Sequence, residues 1–193
     1  MCLYHILDYI LCTGASIVEL QIIWLSFAKY VTKQEIKLLN FEHIVQVNDH
    51  EKPEMKDITR HQLWQGLVLR ARSPEKFNPN LKCRSLEQQG NEFIRNIEVG
   101  NTIFCEKVIL YPKEKIKTFT IEEINQLYAE SNTSIEEPAV GSLFVRFQYK
   151  REIENSQKLD IAEYLKTAYL QLDVEAISMI RMMTEKKYLP LTN

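Results

Sequence analysis

The sequence predicts an α+β fold in which a run of antiparallel strands packs against a long C-terminal helix. Gly100-Asn101 forms a two-residue loop between strand-like runs, a hairpin signal because Gly tolerates the positive φ of tight hairpin turns. Residues 41–47 and 143–149 alternate between two chemically different faces, as half-buried strands do. Apolar residues recur at helical intervals through residues 159–188, which predicts the terminal helix.

Length and composition fit one globular domain, or one domain with an appendage. The 193 residues are 45% hydrophobic and 26% charged, which is ordinary for a globular protein with a real core. The net charge is −2 and no basic stripe is interleaved with aromatic residues, so nucleic acid is not an expected partner.

The cysteines indicate neither zinc nor a disulfide framework. Cys2, Cys12, Cys83 and Cys105 form no CxxC pair, and no His stands at zinc-finger spacing from them, so no structural metal is expected. Without a recognisable secretion signal, the sequence predicts reduced thiols in a cytoplasmic protein. The chain also has no glycine-rich phosphate loop, nucleophile elbow or HExxH motif. No cofactor is therefore expected.

Residues 1–38 are predicted to form an extension ahead of a domain at residues 39–193. Apolar residues at helical spacing in 17–31 are interrupted by Glu19, Gln21 and Lys29, so the segment is too short and too charged for a convincing membrane span. Three interpretations remain open: an amphipathic helix that docks on the domain or on a partner, a leader outside the fold, and, with least support, a membrane anchor.

The domain is predicted to open with a strand over 41–47 and then a helix. His43 shares a face of that strand with apolar residues, either as a hydrogen-bonded core histidine or as a ligand-contacting group. Thr59 and Gln62 form a capping box at the start of the helix, whose apolar stripe contains Leu63, Trp64, Leu67 and Val68. Gly66 would allow close approach of another element, and Ser73-Pro74 ends the helix and opens a second short helical turn.

The Gly100-Asn101 loop fixes the register of the central hairpin. It places Arg95 opposite Glu106 and Phe93 opposite Val108, all on one face. A facing Arg and Glu on the more apolar face suggests a cavity wall, and the alternative is a buried pair that neutralises itself. Counting back through the turn at residues 89–91 predicts Arg84 on the same face as Arg95.

The remaining elements are strands and the terminal helix. Residues 116–121 and 143–149 are predicted strands, and 122–137 is a strand or an irregular rim followed by a turn at Pro138 and Gly141. Cys105 is interpreted as a small apolar filler rather than a nucleophile. The terminal helix is expected to lay one stripe on the sheet: Ile161, Leu165, Ala168, Leu172, Ala176, Met179 and Met183.

This order of elements is that of the helix-grip architecture, and several motifs resemble one family within it. They are Phe41-Glu42-His43, Ile58-Thr59-Arg60, Leu63-Trp64-Gln65-Gly66-Leu67 with Arg70, Pro74 and Phe77, Ile135-Glu136-Glu137-Pro138, and Gly141-Ser142-Leu143. Together they resemble the AtaL-like family, named after a protein of an acetylaranotin biosynthesis cluster, of the START-like (SRPBCC), polyketide-cyclase-related superfamily. The resemblance covers about residue 40 to the C-terminus. It implies a curved antiparallel sheet wrapped around the terminal helix, two short helices after the first strand, and a hydrophobic ligand cavity, but no catalytic residue.

The expected function is binding of a small hydrophobic molecule between the sheet and the terminal helix. The alternatives are a cyclase, lyase or isomerase that uses the same cavity, with His43 or Glu106 moving a proton, and a protein-interaction module. The oligomeric state and the ligand are not predicted. The candidate cavity residues are His43, Trp64, Arg84, Arg95, Glu106, Val108, Val145, Phe147 and Tyr149.

Overall fold

The computed structural model describes residues 36–49, 51, 55–121, 126–154 and 160–189. In these residues a seven-stranded, entirely antiparallel curved sheet carries a long C-terminal helix, so the predicted α+β helix-grip fold is confirmed. The interpretations of segment 17–31 lie outside the described residues. The first strand already begins at Ile36, ahead of residue 39, and the domain boundary stays a prediction.

The element order also matches the prediction of one strand, two short helical segments, a run of strands and a terminal helix. The elements are β1 (Ile36–Gln46), α1 (Arg60–Arg72), a 3-10 turn (Pro74–Lys76), β2 (Leu81–Gln89), β3 (Glu92–Val99), β4 (Thr102–Tyr111), β5 (Lys115–Thr120), β6 (Ala129–Ala139), β7 (Ser142–Glu154) and α2 (Ile161–Glu185). Their order in the sheet is β1-β7-β6-β5-β4-β3-β2. Strands β2 to β7 therefore each lie beside the next strand in sequence, and β1 pairs with β7 at one edge of the sheet.

The central hairpin has the register that its two-residue loop predicts. Val99 pairs with Thr102, Arg95 with Glu106 and Phe93 with Val108. Gly100 adopts a φ of 59°, in the left-handed region that a residue with a side chain rarely enters. The loop therefore fixes which side chains of β3 and β4 point to the helix-covered inner face.

The predicted position of Arg84 is wrong because β2 contains a β-bulge. The pairing of β2 with β3 shifts between Ser85 and Glu87, so Ser85 lies opposite Arg95 and Arg84 lies opposite Asn96. A bulge adds one residue to one strand and exchanges the two faces beyond it. The side chain of Arg84 is therefore on the exposed outer face, away from the inner face.

Helix α1 begins and ends as predicted. The Thr59 side chain accepts a hydrogen bond from the backbone N–H of Gln62, the Gln62 side chain accepts one from the backbone of Thr59, and the C-cap is Ser73. Gly66 faces α2, since a Cβ added there would lie 2.6 Å from Cγ1 of Ile180. The absence of a side chain at Gly66 thus permits the close contact of α1 with α2.

The buried stripe of α2 differs from the predicted one. Its buried residues are Asp173, Ala176, Ile177 and Ile180, whereas Leu172 is 38% exposed. The helix has apolar residues on adjacent faces, so counting apolar positions alone cannot choose between overlapping stripes. The true stripe includes Asp173, a carboxylate that such a count passes over.

The hydrophobic core lies between α1, α2 and the inner face of the sheet. Phe93, Val108, Val145 and Phe147 are 0–2% exposed, and Leu63 of α1 is fully buried among the same residues. Within the described part of the chain, no helix combines the length and the hydrophobicity needed to cross a membrane.

Candidate functional site

A cavity of about 230 Å³ lies between the inner face of the sheet, α1 and α2. Strands β2, β3, β5, β6 and β7 contribute one wall, while α1, the 3-10 turn and α2 contribute the others. Ten of the seventeen lining residues are apolar or aromatic and seven are polar or charged: Leu67, Arg70, Ala71, Pro74, Phe77, Asn78, Leu81, Arg95, Ile97, Ile116, Thr118, Ser131, Thr133, Tyr149, Tyr169, Leu172 and Asp173. This composition is typical of small-molecule sites.

Asp173 is the centre of a polar cluster that joins α2 to the sheet and to α1. The Tyr149 hydroxyl donates a hydrogen bond of 2.6 Å to Oδ2 of Asp173. The guanidinium of Arg70 lies 2.7 Å from Oδ1, and Nε2 of His43 lies 3.1 Å from Oδ2. The Asp173 side chain is 0% exposed, so its charge depends on these neighbours for compensation.

The charges of this cluster balance at neutral pH. Burial lowers the pKa of His43, an effect that outweighs the attraction of Asp173, so the imidazole is neutral. Burial also raises the pKa of Tyr149 well above its ordinary value, and the Asp173 charge adds to this shift. The cluster is therefore one cation, one anion, a neutral imidazole and a protonated phenol.

Aromatic rings surround the cluster. Tyr149 stacks on Tyr169 of α2 with ring centroids 4.1 Å apart and planes 4° apart, and the Arg151 side chain donates a hydrogen bond of 3.2 Å to the Tyr169 hydroxyl. His43 stacks on Phe147 at 5.3 Å. These contacts restrict the rotamers of Tyr149 and His43, so their polar atoms are held in fixed positions.

Arg95 and Glu106 form a cross-strand pair on the inner face. Nε and Nη2 of Arg95 donate hydrogen bonds of 2.9 and 2.8 Å to Oε2 of Glu106, and Nη1 donates to the backbone carbonyl of Ala71. The guanidinium therefore links the hairpin to α1 with all three nitrogens engaged. This geometry favours the interpretation of the pair as structural, although Arg95 also contributes to the cavity wall.

The structure separates the predicted candidates into three groups. Arg95 and Tyr149 line the cavity. His43 and Glu106 stand directly behind them, in contact with Asp173 and Arg95 respectively.

The third group consists of candidates that lie away from the cavity wall. Trp64, Val108, Val145 and Phe147 are buried in the hydrophobic core at 0–8% exposure. Arg84 is on the outer face of the sheet because of the bulge in β2.

Sequence reasoning missed Arg70, Asp173 and the hydroxyls of Thr118, Ser131 and Thr133. The position of Asp173 could have been inferred from the sequence. It comes three residues before Ala176 and four before Ile177, so it lies on the same face of the helix as these two buried residues. Arg70 comes one helical turn after the core residue Leu67 and could have been placed beside it. To place the hydroxyls, one has to know how β5, β6 and β7 pair. The residues before Pro138 have no clear strand pattern, so this pairing could not be predicted from the sequence.

A larger concavity of about 460 Å³ lies on the outer face of the same sheet. Its side chains are mostly charged or amide groups that contact one another: Lys117 pairs with Glu130 at 2.8 Å, and Gln148 donates to Glu42 at 2.7 Å. It has little apolar wall, so the inner cavity is the better candidate for a hydrophobic ligand.

Comparison with known structures identifies the same fold. The di-domain ARO/CYC StfQ from the steffimycin biosynthetic pathway is 11% identical with a TM-score of 0.61, over 78% of this chain and 52% of that one. A START superfamily protein from Mycobacterium smegmatis is 15% identical with a TM-score of 0.53, over 75% and 99%. A norcoclaurine synthase point mutant from Thalictrum flavum, in complex with a transition-state analogue, is 16% identical with a TM-score of 0.55, over 78% and 98%.

The chain thus spans about half the length of the di-domain protein. Comparison with curated proteins gives no match. The family model described as acetylaranotin biosynthesis cluster protein L matches residues 45–187, which is most of the helix-grip domain. The chain therefore belongs to the AtaL family, and its fold is the helix-grip fold of the START-like structures.

Proposed function

We propose that this protein binds a small hydrophobic molecule in the cavity between the sheet and α2. The observation that carries the proposal is the cavity itself, whose wall combines apolar and aromatic side chains with polar groups in fixed positions. A space of about 230 Å³ is roughly eight times the volume that one water molecule occupies in the liquid. An apolar ligand there would displace water and gain the corresponding hydrophobic free energy.

The state of the polar cluster supports binding ahead of catalysis. A general acid or base works best when its pKa is close to the operating pH. Tyr149 has a pKa raised well above 10 and donates a hydrogen bond to Asp173, so it is poorly suited to release a proton near neutral pH. Both oxygens of the buried Asp173 carboxylate are already engaged, Oδ1 with Arg70 at 2.7 Å and Oδ2 with the Tyr149 hydroxyl at 2.6 Å.

A cyclase-type reaction is the second candidate function. The observation that favours it is the Tyr149–Asp173 hydrogen bond at the cavity wall, with the neutral His43 imidazole 3.1 Å from the same carboxylate. This arrangement could pass a proton between a ligand oxygen and Asp173. Catalysis predicts a turnover that His43→Ala abolishes while ligand affinity is retained, whereas a binding protein leaves the ligand chemically unchanged in both forms.

A ligand screen with a matched pair of variants tests the binding proposal. Ser131→Phe would fill the cavity, whereas Asn132→Phe places the same ring on the outer face of the same strand. Native mass spectrometry of the purified protein would detect a retained small molecule. Thermal unfolding with neutral aromatic fragments would then measure binding.

The expected result is stabilisation of the wild type and of Asn132→Phe, but not of Ser131→Phe. A ligand at one hundred times its Kd adds about 2.7 kcal/mol to the free energy of unfolding. For a domain of this size that corresponds to a rise in Tm of roughly 5 to 10 °C. Equal stabilisation of both variants would place the ligand outside the cavity and contradict the proposal.

A further inference from the structure

Three hydroxyl side chains form a row across the sheet wall of the cavity. Thr118 of β5 pairs with Ser131 of β6, and Ser131 pairs with Tyr149 of β7. All three line the cavity. Directly opposite residues on neighbouring strands have Cβ atoms about 4.5 to 5.5 Å apart, so the row, called here the hydroxyl row, crosses three adjacent strands.

The hydroxyl row has unused hydrogen-bonding capacity. Within the described residues, the hydroxyls of Thr118 and Ser131 have no hydrogen-bond partner. The Tyr149 hydroxyl donates its hydrogen bond to Asp173, and its oxygen keeps lone pairs that can accept another hydrogen bond. A ligand oxygen beside the row could therefore both accept and donate hydrogen bonds.

The helices and the 3-10 turn contribute apolar side chains to the rest of the wall. They are Leu67 and Ala71 of α1, Phe77 after the 3-10 turn, and Leu172 of α2, and the charged groups on the same helices, Arg70 and Asp173, pair with each other. A ligand that fits this asymmetry has an apolar body with oxygen on one edge. An engineered apolar cavity of about 150 Å³ holds benzene, so about 230 Å³ leaves room for a pair of fused rings.

The charges at the wall are already compensated. Arg70 lies 2.7 Å from Asp173, and Arg95 lies 2.8 Å from Glu106. No lysine is among the described residues that line the cavity. An anionic ligand would therefore enter a space in which both arginines already have a carboxylate partner, and burying its charge there is unfavourable.

We infer that the cavity selects an uncharged ligand of one or two fused rings that carries a hydroxyl or carbonyl oxygen, which hydrogen-bonds to Thr118 and Ser131 of the hydroxyl row. This inference rests on the proposed function and specifies the ligand class for the same cavity. It excludes carboxylates and phosphates as preferred ligands, although two arginines line the site.

Three probes that share one ring system test the inference: naphthalene, 2-naphthol and 2-naphthoate, the last ionised at neutral pH. Their dissociation constants would be measured by calorimetry or ligand-observed NMR. 2-Naphthol is expected to bind about tenfold more tightly than naphthalene, the difference that one net hydrogen bond produces. 2-Naphthoate is expected to bind more weakly than naphthalene.

Variants then assign the difference to the hydroxyl row. The double substitution Thr118→Val with Ser131→Ala should reduce 2-naphthol affinity about tenfold and leave naphthalene affinity unchanged. Ser178→Ala, at an exposed position of α2, is the matched control and should change neither affinity. Unchanged naphthalene binding by the double variant also shows that its cavity remains folded.

The possible outcomes separate this inference from the proposed function. Equal binding of naphthalene and 2-naphthol would overturn the inference and leave the proposed function standing. Tighter binding of 2-naphthoate than of 2-naphthol would overturn the inference in favour of an anion site at the arginines. Failure of all three probes to bind would overturn both.

Discussion

Replacing Glu106 by Gln is expected to destabilise the protein by about 3 kcal/mol. Loss of one partner from a buried ion pair costs about 3 to 5 kcal/mol because the other charge remains buried without compensation. The side chains of Arg95 and Glu106 keep 10% and 19% exposure, so the lower end of that range applies. Arg95 would retain its hydrogen bond to the carbonyl of Ala71, which limits the loss further.

Urea unfolding measures this change. With a denaturant slope of about 2 kcal/mol per molar, the midpoint should fall by roughly 1.5 M. The double variant Arg95→Met with Glu106→Leu removes both charges and should be less destabilised than either single variant, because an apolar pair of similar volume needs no compensation. A double variant as unstable as the sum of the single variants would refute this explanation of the pair.

Three further predictions concern α1, pH and the Asp173 cluster. Gly66→Ala should lower the free energy of unfolding by about 1 to 2 kcal/mol, because overpacking against Ile180 exceeds the gain in helix propensity; increased stability in urea would contradict this. The pKa of His43 is below its ordinary 6.5 in the folded state, so unfolding takes up a proton in acid and stability falls as pH drops below about 6.5; His43→Gln should flatten this part of the pH–stability curve, and an unchanged slope would contradict the burial argument. Tyr149→Phe should cost about 1 to 3 kcal/mol, measured by thermal unfolding, because it leaves a buried oxygen of Asp173 without its hydrogen bond; an unchanged Tm would contradict this.

The central hairpin could be predicted from the sequence to the level of single residue pairs. The Gly100-Asn101 loop determines the register locally, so Arg95 opposite Glu106 follows without any tertiary information. The same counting failed for Arg84, because the bulge between Ser85 and Glu87 has no local sequence mark such as a glycine. Assigning alternate residues to opposite faces of a sheet is therefore reliable only as far as the next irregularity in the strand.

The candidate site was harder to predict because it depends on packing between distant elements. The apolar alternation of β7 correctly placed Tyr149 on the inner face, but its partner Asp173 comes from α2. A helical stripe counted by hydrophobicity excludes a buried carboxylate by definition. Val108 and Val145 face inward as predicted, yet which inward-facing residues meet the core and which meet the cavity depends on where α1 and α2 lie.

The pairing of β1 with β7 affects how the chain folds while the ribosome synthesises it. Val45 of β1 meets Val145 of β7, and at a synthesis rate of about 5 to 20 residues per second roughly 5 to 20 seconds pass between their appearances. During that interval the nascent β1 has no strand to pair with, and its inner-face residues, including Leu39 and Phe41, have no core to enter. The first strand of the sheet is thus one of the last to be paired, so a chain that terminates before β7 exposes an unpaired, partly apolar strand.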